Sequence, residues 1–115
     1  MVEETYEPIE IEYAFNSFVK RAEAMVKDYY TDHYTSLELP DLVVRSGRKY
    51  WKIIKGTDES GWTVWGFVRK EDGAMFKPAS WNAPFTKGPS AIRGYVTGHS
   101  NGMNSVTPYG VVYAK

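Results

Sequence analysis

The chain contains no cysteine, which removes disulfide staples and thiolate metal sites and makes a reducing compartment its natural setting. Its two histidines, His33 and His99, have no second ligand at helical or hairpin spacing, so no transition-metal site is expected. No run approaches the roughly 20 apolar residues of a membrane span, and no basic region followed by an apolar run opens the chain, so no membrane is expected among its partners. No glycine-rich phosphate loop of the Walker or Rossmann kind occurs. Net charge is missing as well, since 14 Lys and Arg balance 14 Asp and Glu.

That balance conceals an asymmetry. Residues 1–12 carry Glu3, Glu4, Glu7, Glu10 and Glu12 with no base, whereas residues 42–115 carry eleven basic side chains against four acidic ones. A basic field of this kind raises the local concentration of anionic partners, phosphates included.

A chain of 115 residues predicts one domain, 1–115, able to bury about two-thirds of the surface its unfolded form exposes. Residues 1–8 read as an acidic tail without apolar periodicity. Over residues 9–32, Ile11, Ala14, Phe15, Phe18, Val19, Ala22, Met25, Val26 and Tyr29 recur at steps of three and four, the stripe of an amphipathic helix. Pro8 suits its first turn, and Glu10 and Glu12 sit near the positive end of its dipole. Leu39-Pro40 ends any helical reading.

Residues 42–115 form a β-sheet region. Strands are expected over 42–45, 49–55, 62–69 and 74–77, with 92–96 and 106–114 completing the sheet. The fold class is therefore α+β, one long N-terminal helix packed on an antiparallel, meander-like sheet. With Lys55 opposite Trp62, one hairpin face pairs Ile53 with Val64 and Trp51 with Gly66. The other pairs Lys52 with Trp65, Tyr50 with Phe67 and Arg48 with Arg69, a face both aromatic and cationic. The segment from Gly73 to Gly94 holds Pro78, Pro84 and Pro89 among the apolar anchors Met75, Phe76, Trp81, Phe85 and Ile92, the composition of a working loop.

Gly98-His99-Ser100-Asn101-Gly102 matches the G-x-S-x-G nucleophile elbow, but no Asp, Glu or His follows Ser100, so the acid and histidine of such a triad are missing. Asp58, Glu59, Glu71 and Asp72 fall in predicted turns, where solvated carboxylates with ordinary pKa values are expected. The chain reads as a binder rather than an enzyme, with no cofactor. Its candidate chemistry is aromatic rings beside cations: Trp65, Phe67 and Trp81 to stack a base, and Lys52, Arg69, Lys77 and Arg93 to hold phosphates. Tyr109 joins them as a ligand-binding residue. A small nucleotide-like ligand or single-stranded nucleic acid suits such a set, in a pocket between the aromatic-cationic face and the Gly73–Gly94 loop. A homo-oligomer is the expected assembly.

From about Tyr50 onward the chain resembles a widespread group of small tailed-bacteriophage proteins. The shared pattern is Phe67-Val68, Gly73, Lys77-Pro78-Ala79-Ser80-Trp81, Pro84, Arg93-Gly94, Tyr109-Gly110, Tyr113 and a basic end at Lys115. The spacer from Pro84 to Arg93 is longer here, and Lys115 stands where arginine is usual, which lacks arginine's bidentate geometry. The resemblance implies a phage context and the cytoplasm of an infected bacterial host. In size and surface chemistry the chain is also similar to sponges that sequester nucleotide-derived immune signals of the cyclic nucleotide or cyclic ADP-ribose type. The alternatives are a nucleic-acid-binding module and a protein–protein blocker or minor structural phage protein.

Overall fold

The apolar stripe on residues 9–32 forms a helix because its large side chains share one face and Pro8 stands where no backbone donor is needed. In the structure, a computed structural model that describes residues 6–34 and 38–111, α1 runs over Pro8–His33. The Glu10 carboxylate accepts the Glu7 N–H at 3.0 Å, satisfying one donor ahead of the first turn. Ile11, Phe15, Phe18, Ala22 and Val26 are the buried positions of the stripe. The Tyr34 N–H donates to Tyr30 O and closes the last turn. Residues 1–5 of the expected tail lie outside the described residues.

The sheet is an antiparallel meander of β1 (Asp41–Ser46), β2 (Tyr50–Thr57), β3 (Gly61–Arg69), β4 (Ala74–Phe76) and β5 (Gly94–Tyr95), in that spatial order. The α+β class and the helix-on-meander architecture are as the periodicities predict. The register differs from the expected one. Gly56 rather than Lys55 lies opposite Trp62, and the pairing shifts again between Ile54↔Val64 and Ile53↔Gly66. Trp65 is the extra residue, a β-bulge that opposes the Ile53–Ile54 step without a partner of its own.

That bulge separates two rings expected on one face. Trp65 turns toward α1, where it is 1% exposed and lies 6.0 Å from the Phe18 ring, and its indole N–H donates to Pro108 O at 3.2 Å. Trp65 therefore belongs to the main core with Phe15, Phe18, Ile53, Val68 and Met75, not to a ligand face. Trp51 also faces α1 and stacks on Phe15 at 4.1 Å and 7°. Phe67 turns the other way, into a second cluster with Ala74, Phe76 and Ala91, against which Tyr50, Val64 and Ile92 pack.

A further correction concerns the chain's last strands. β6 (Val106–Thr107) and β7 (Gly110–Val111) pair only with each other and form a separate ribbon. Gly66 explains its position, because a Cβ there would stand 2.5 Å from Val111 Cγ2. The missing side chain leaves a slot on the helix side of β3 that Val111 fills. Gly110 (φ +140) likewise lies so near the Trp65 carbonyl that a Cβ would come within 2.6 Å of its oxygen. The expected continuation through residues 112–114 lies outside the described residues.

Between β5 and β6 the backbone makes a short 3₁₀ segment, η1 (His99–Ser105), interrupted by positive φ at Ser100, Asn101 and Gly102. Asn101 Nδ2 donates to Ala14 O at 3.0 Å and Val96 O at 2.6 Å, tying helix to sheet. The G-x-S-x-G stretch is thus built into a clamp. Phe18, at 0% exposure, sits at the centre of the helix–sheet core. Phe18→Ala is expected to lower unfolding free energy by about 3–5 kcal/mol, whereas Ile9→Ala, at 62% exposure, changes it by less than about 0.5 kcal/mol in the same urea titration.

Candidate functional site

The face turned away from α1 carries a cross-strand row, Arg45 on β1, Lys52 on β2, Phe67 on β3 and Phe76 on β4, each opposite the next. Like charges directly opposed across an antiparallel pair are destabilising, and the Arg45–Lys52 pair is of that kind. Arg48 and Lys49 lie in the turn between β1 and β2. That turn is held by the Gly47 N–H donating to Tyr50 O at 2.9 Å and by Lys70 Nζ donating to Ser46 Oγ at 2.7 Å and Gly47 O at 2.6 Å.

These elements surround a depression of about 340 Å³. Arg45, Arg48, Lys49 and Lys52 supply its charge, Tyr50 and Phe67 its rings, and Asn82 its one side-chain amide; no carboxylate lines it. Among the described residues the Arg45, Arg48 and Lys49 side chains make no ion pair or hydrogen bond, whereas Lys27 pairs with Asp41 and Arg69 with Asp72. Four positive groups thus share a concave surface with little internal compensation, a concentrated attraction for anions.

The proline-rich segment contributes Asn82 to the lining. Pro78 bridges Pro84, the Ala79 and Ser80 N–H groups donate to Ala83 O at 2.9 and 3.1 Å, and Phe85 N–H donates to Lys77 O at 2.8 Å. The result is a closed loop with Trp81 and Asn82 at its tip. Lys52 Nζ donates to Trp81 O at 3.1 Å and stands 4.6 Å from the centre of the Trp81 ring. Trp81 remains 48% exposed. It adjoins Asn82 in sequence and Lys52 in space, and both of those line the depression.

Of the residues expected to bind ligand, the structure brings Lys52, Phe67 and Trp81 together, and leaves five elsewhere. Arg69 Nε and Nη2 donate to the two Asp72 carboxylate oxygens at 3.0 and 2.7 Å, and the guanidinium lies 5.3 Å over Phe76. Its charge is committed. Lys77 Nζ lies 5.1 Å over the Phe85 ring. Arg93 marks the approach to β5, its N–H donating to Met75 O at 2.8 Å and its carbonyl accepting from Ser105 Oγ at 2.6 Å. Trp65 is in the core. Tyr109 lies on the helix side, with its hydroxyl 2.9 Å from that of Tyr29 and 3.2 Å from that of Tyr34. Those two hydrogen bonds hold the Tyr109 phenol above its ordinary pKa.

Sequence reasoning counted Arg48 among the cations beside the rings, placed Tyr50 on the same face without assigning it to ligand, and missed Arg45, Lys49 and Asn82. The available signal was local: four bases and no acid occur within residues 45–52.

Asp72 departs from the solvated turn carboxylate expected of it. Burial pushes its pKa up, but the Arg69 hydrogen bonds, the Ala74 N–H and the Arg69 charge outweigh that and hold it below the usual range. The Asp72 bond in turn raises Arg69, against partial burial. Among the described residues no group of three or more His, Asp or Glu could hold a metal ion, and no helix is long and apolar enough to cross a membrane.

The model of a family of unknown function, DUF7717, matches residues 5–96, and the chain belongs to that family. The match takes in α1, the five-stranded sheet and the whole proline-rich loop, and stops before η1 and the β6–β7 ribbon. No curated protein and no solved structure matches the chain.

Because the folded Asp72 pKa is depressed, the stability it contributes is complete above the unfolded value near 4 and is lost as pH falls through the folded one. Asp72→Asn is expected to lower Tm by a constant amount between pH 5 and 7, within the roughly 0–1 kcal/mol of a solvent-screened pair. The difference from the wild type should then shrink below about pH 4 in melts recorded across that range.

Proposed function

We propose that this family member is a non-enzymatic binding protein that captures a small nucleotide-derived anion. Phosphate groups lie against Arg45, Arg48, Lys49 and Lys52, and the base lies against the exposed ring of Trp81 at the rim. The observation that carries this reading is the concave cluster of four cations without a lining carboxylate. A sheet that opposes Arg45 to Lys52 forgoes stability, and an anion drawn between them offsets that cost. The depression's volume falls at the lower end of small-molecule sites, which run from about 300 to 1,000 Å³. The rings beside the cations supply flat apolar area for a base, and Lys52 already rests on one of them.

The phage resemblance of the C-terminal half supports the biological half of the proposal. In an infected bacterium the protein sequesters a nucleotide-derived immune signal in the host cytoplasm, as a homo-oligomer. A second reading, single-stranded nucleic acid, is favoured by the exposure of Arg45, Arg48 and Lys49 at one end of the sheet, where a backbone could run past the depression rather than end in it.

Thermal melts with cyclic and linear signal nucleotides test the first reading. A ligand at 100 times its Kd stabilises by about 2.7 kcal/mol, a rise of roughly 10 °C or more for a domain of this size. Arg45→Glu and Lys52→Glu should abolish the rise. An unchanged Tm with every nucleotide at millimolar concentration would refute it. Strand binding would appear instead as affinity for oligonucleotides falling with log salt at about −0.7 per phosphate contacted.

A further inference from the structure

The charge of the depression specifies more than an anion. Resting on the nucleotide reading above, we infer that the ligand carries two phosphates joined to each other, rather than one. One phosphate is held by Arg45 and Lys52 and the other by Arg48 and Lys49.

The argument is one of charge and placement. A phosphate monoester carries about −1.5 to −2 at neutral pH, enough to compensate two cations. The depression presents four, and no carboxylate among its lining residues shares the load. Bound to a single phosphate, it would keep two positive groups close together with no opposite charge between them, and like charges repel.

The cations also fall into two pairs on different elements. Arg45 and Lys52 oppose each other across β1 and β2, so their side chains leave the same face with Cβ atoms about 5 Å apart. Arg48 and Lys49 are neighbours in the connecting turn, which Lys70 fixes from behind through Ser46 Oγ and Gly47 O. A braced turn presenting two bases beside a braced strand pair presenting two more suits two phosphates side by side.

Orientation follows from Lys52. Its ammonium bonds Trp81 O and lies over the Trp81 ring, so the strand pair is the end nearest the stacking surface. The phosphate next to the base therefore belongs to Arg45 and Lys52, and the outer phosphate to Arg48 and Lys49. Arginine at one place in each pair supplies the planar fork that grips phosphate oxygens two at a time. The ligand class is a nucleoside diphosphate or a pyrophosphate-linked nucleotide.

Calorimetric titration of the full chain at one fixed ionic strength, with inorganic phosphate, pyrophosphate and tripolyphosphate, tests the count directly. Pyrophosphate is expected to bind at least about tenfold more tightly than phosphate, the yield of one further charge-assisted pair. Tripolyphosphate should gain less than about threefold more, because no third pair of cations awaits it. The double variant Arg48→Ala/Lys49→Ala should bring pyrophosphate down to the affinity of phosphate.

Equal affinities for phosphate and pyrophosphate overturn the inference, as does a rise to tripolyphosphate as large as the first step, which a diffuse positive field would give. AMP and ADP added to the same series separate the two levels. If AMP binds as tightly as ADP and both exceed inorganic phosphate, the nucleotide reading stands and the two-phosphate inference falls. If neither nucleotide binds more tightly than its inorganic counterpart, the nucleotide reading fails, and the inference built on it fails too. An oligonucleotide that displaces pyrophosphate with a steep salt dependence overturns both in favour of a strand.

Discussion

The extra residue that β3 carries opposite the Ile53–Ile54 step governs how the two faces of this sheet are divided. In an unbroken strand Trp65 and Phe67 would share a face, since side chains alternate with a period of two. The bulge turns Trp65 under α1, where it meets Phe18, and leaves Phe67 on the opposite side with Phe76 and Tyr50. The bulge also places Gly66 on the helix side, where its missing side chain admits Val111 and seats the β6–β7 ribbon against β3. One inserted position thus determines the helix-side core, the docking of the C-terminal ribbon and the composition of the second face.

With α1 and the ribbon covering one side, the chain's own loop covers part of the other. Ala91 and Ile92 pack on Phe67 and Phe76, while the Pro78–Pro84 turn reaches back to β2 through Lys52 and Trp81 O. The apolar positions of this loop are therefore anchors, and the three prolines keep it out of both helix and sheet. What the loop leaves open is the end of the sheet nearest the β1–β2 turn, and there the bases concentrate. Two carboxylates elsewhere are engaged by bases: Asp72 ties down Arg69 within its own turn, and Asp41 meets Lys27 of the helix. Neither lines the depression, whose lining residues include four bases and no carboxylate.

Two groups of aromatic residues serve the helix side of the fold. Phe15, Phe18, Trp51 and Trp65 build the core, and the tyrosines at the end of α1 gather with Tyr109 around Lys55, whose ammonium lies 5.0 Å over the Tyr109 ring and 3.1 Å from the Tyr30 hydroxyl. That cation is already satisfied by rings, a hydroxyl and the Pro108 carbonyl at 3.4 Å. Lys52 is held by one ring and one carbonyl on an exposed loop tip. The contrast distinguishes a lysine used to close the fold from one held at an exposed loop tip.

Residue order by itself determined the helix, because burying the stripe from Ile11 to Val26 requires only a 3.6-residue period and a partner surface. It likewise determined the meander, because short β-rich runs separated by Gly47, Gly61 and Gly73 allow little but adjacent antiparallel pairing. Lys52, Phe67 and Trp81 were recognisable as neighbours from ring and charge composition. Only the tertiary structure decided the register, since a bulge is a compromise among many packing contacts and no local preference marks Trp65 as its seat. It alone decided that Arg69 would serve Asp72, that Tyr109 would join the helix end, and that the ribbon would stand apart from the sheet. The basic run at residues 45–52 was visible as charge, but a run acquires a shape only when a turn is fixed and a distant loop folds back over it. Those constraints come from Lys70, Pro78, Trp81 and Pro84, side chains whose positions depend on contacts far apart in the chain.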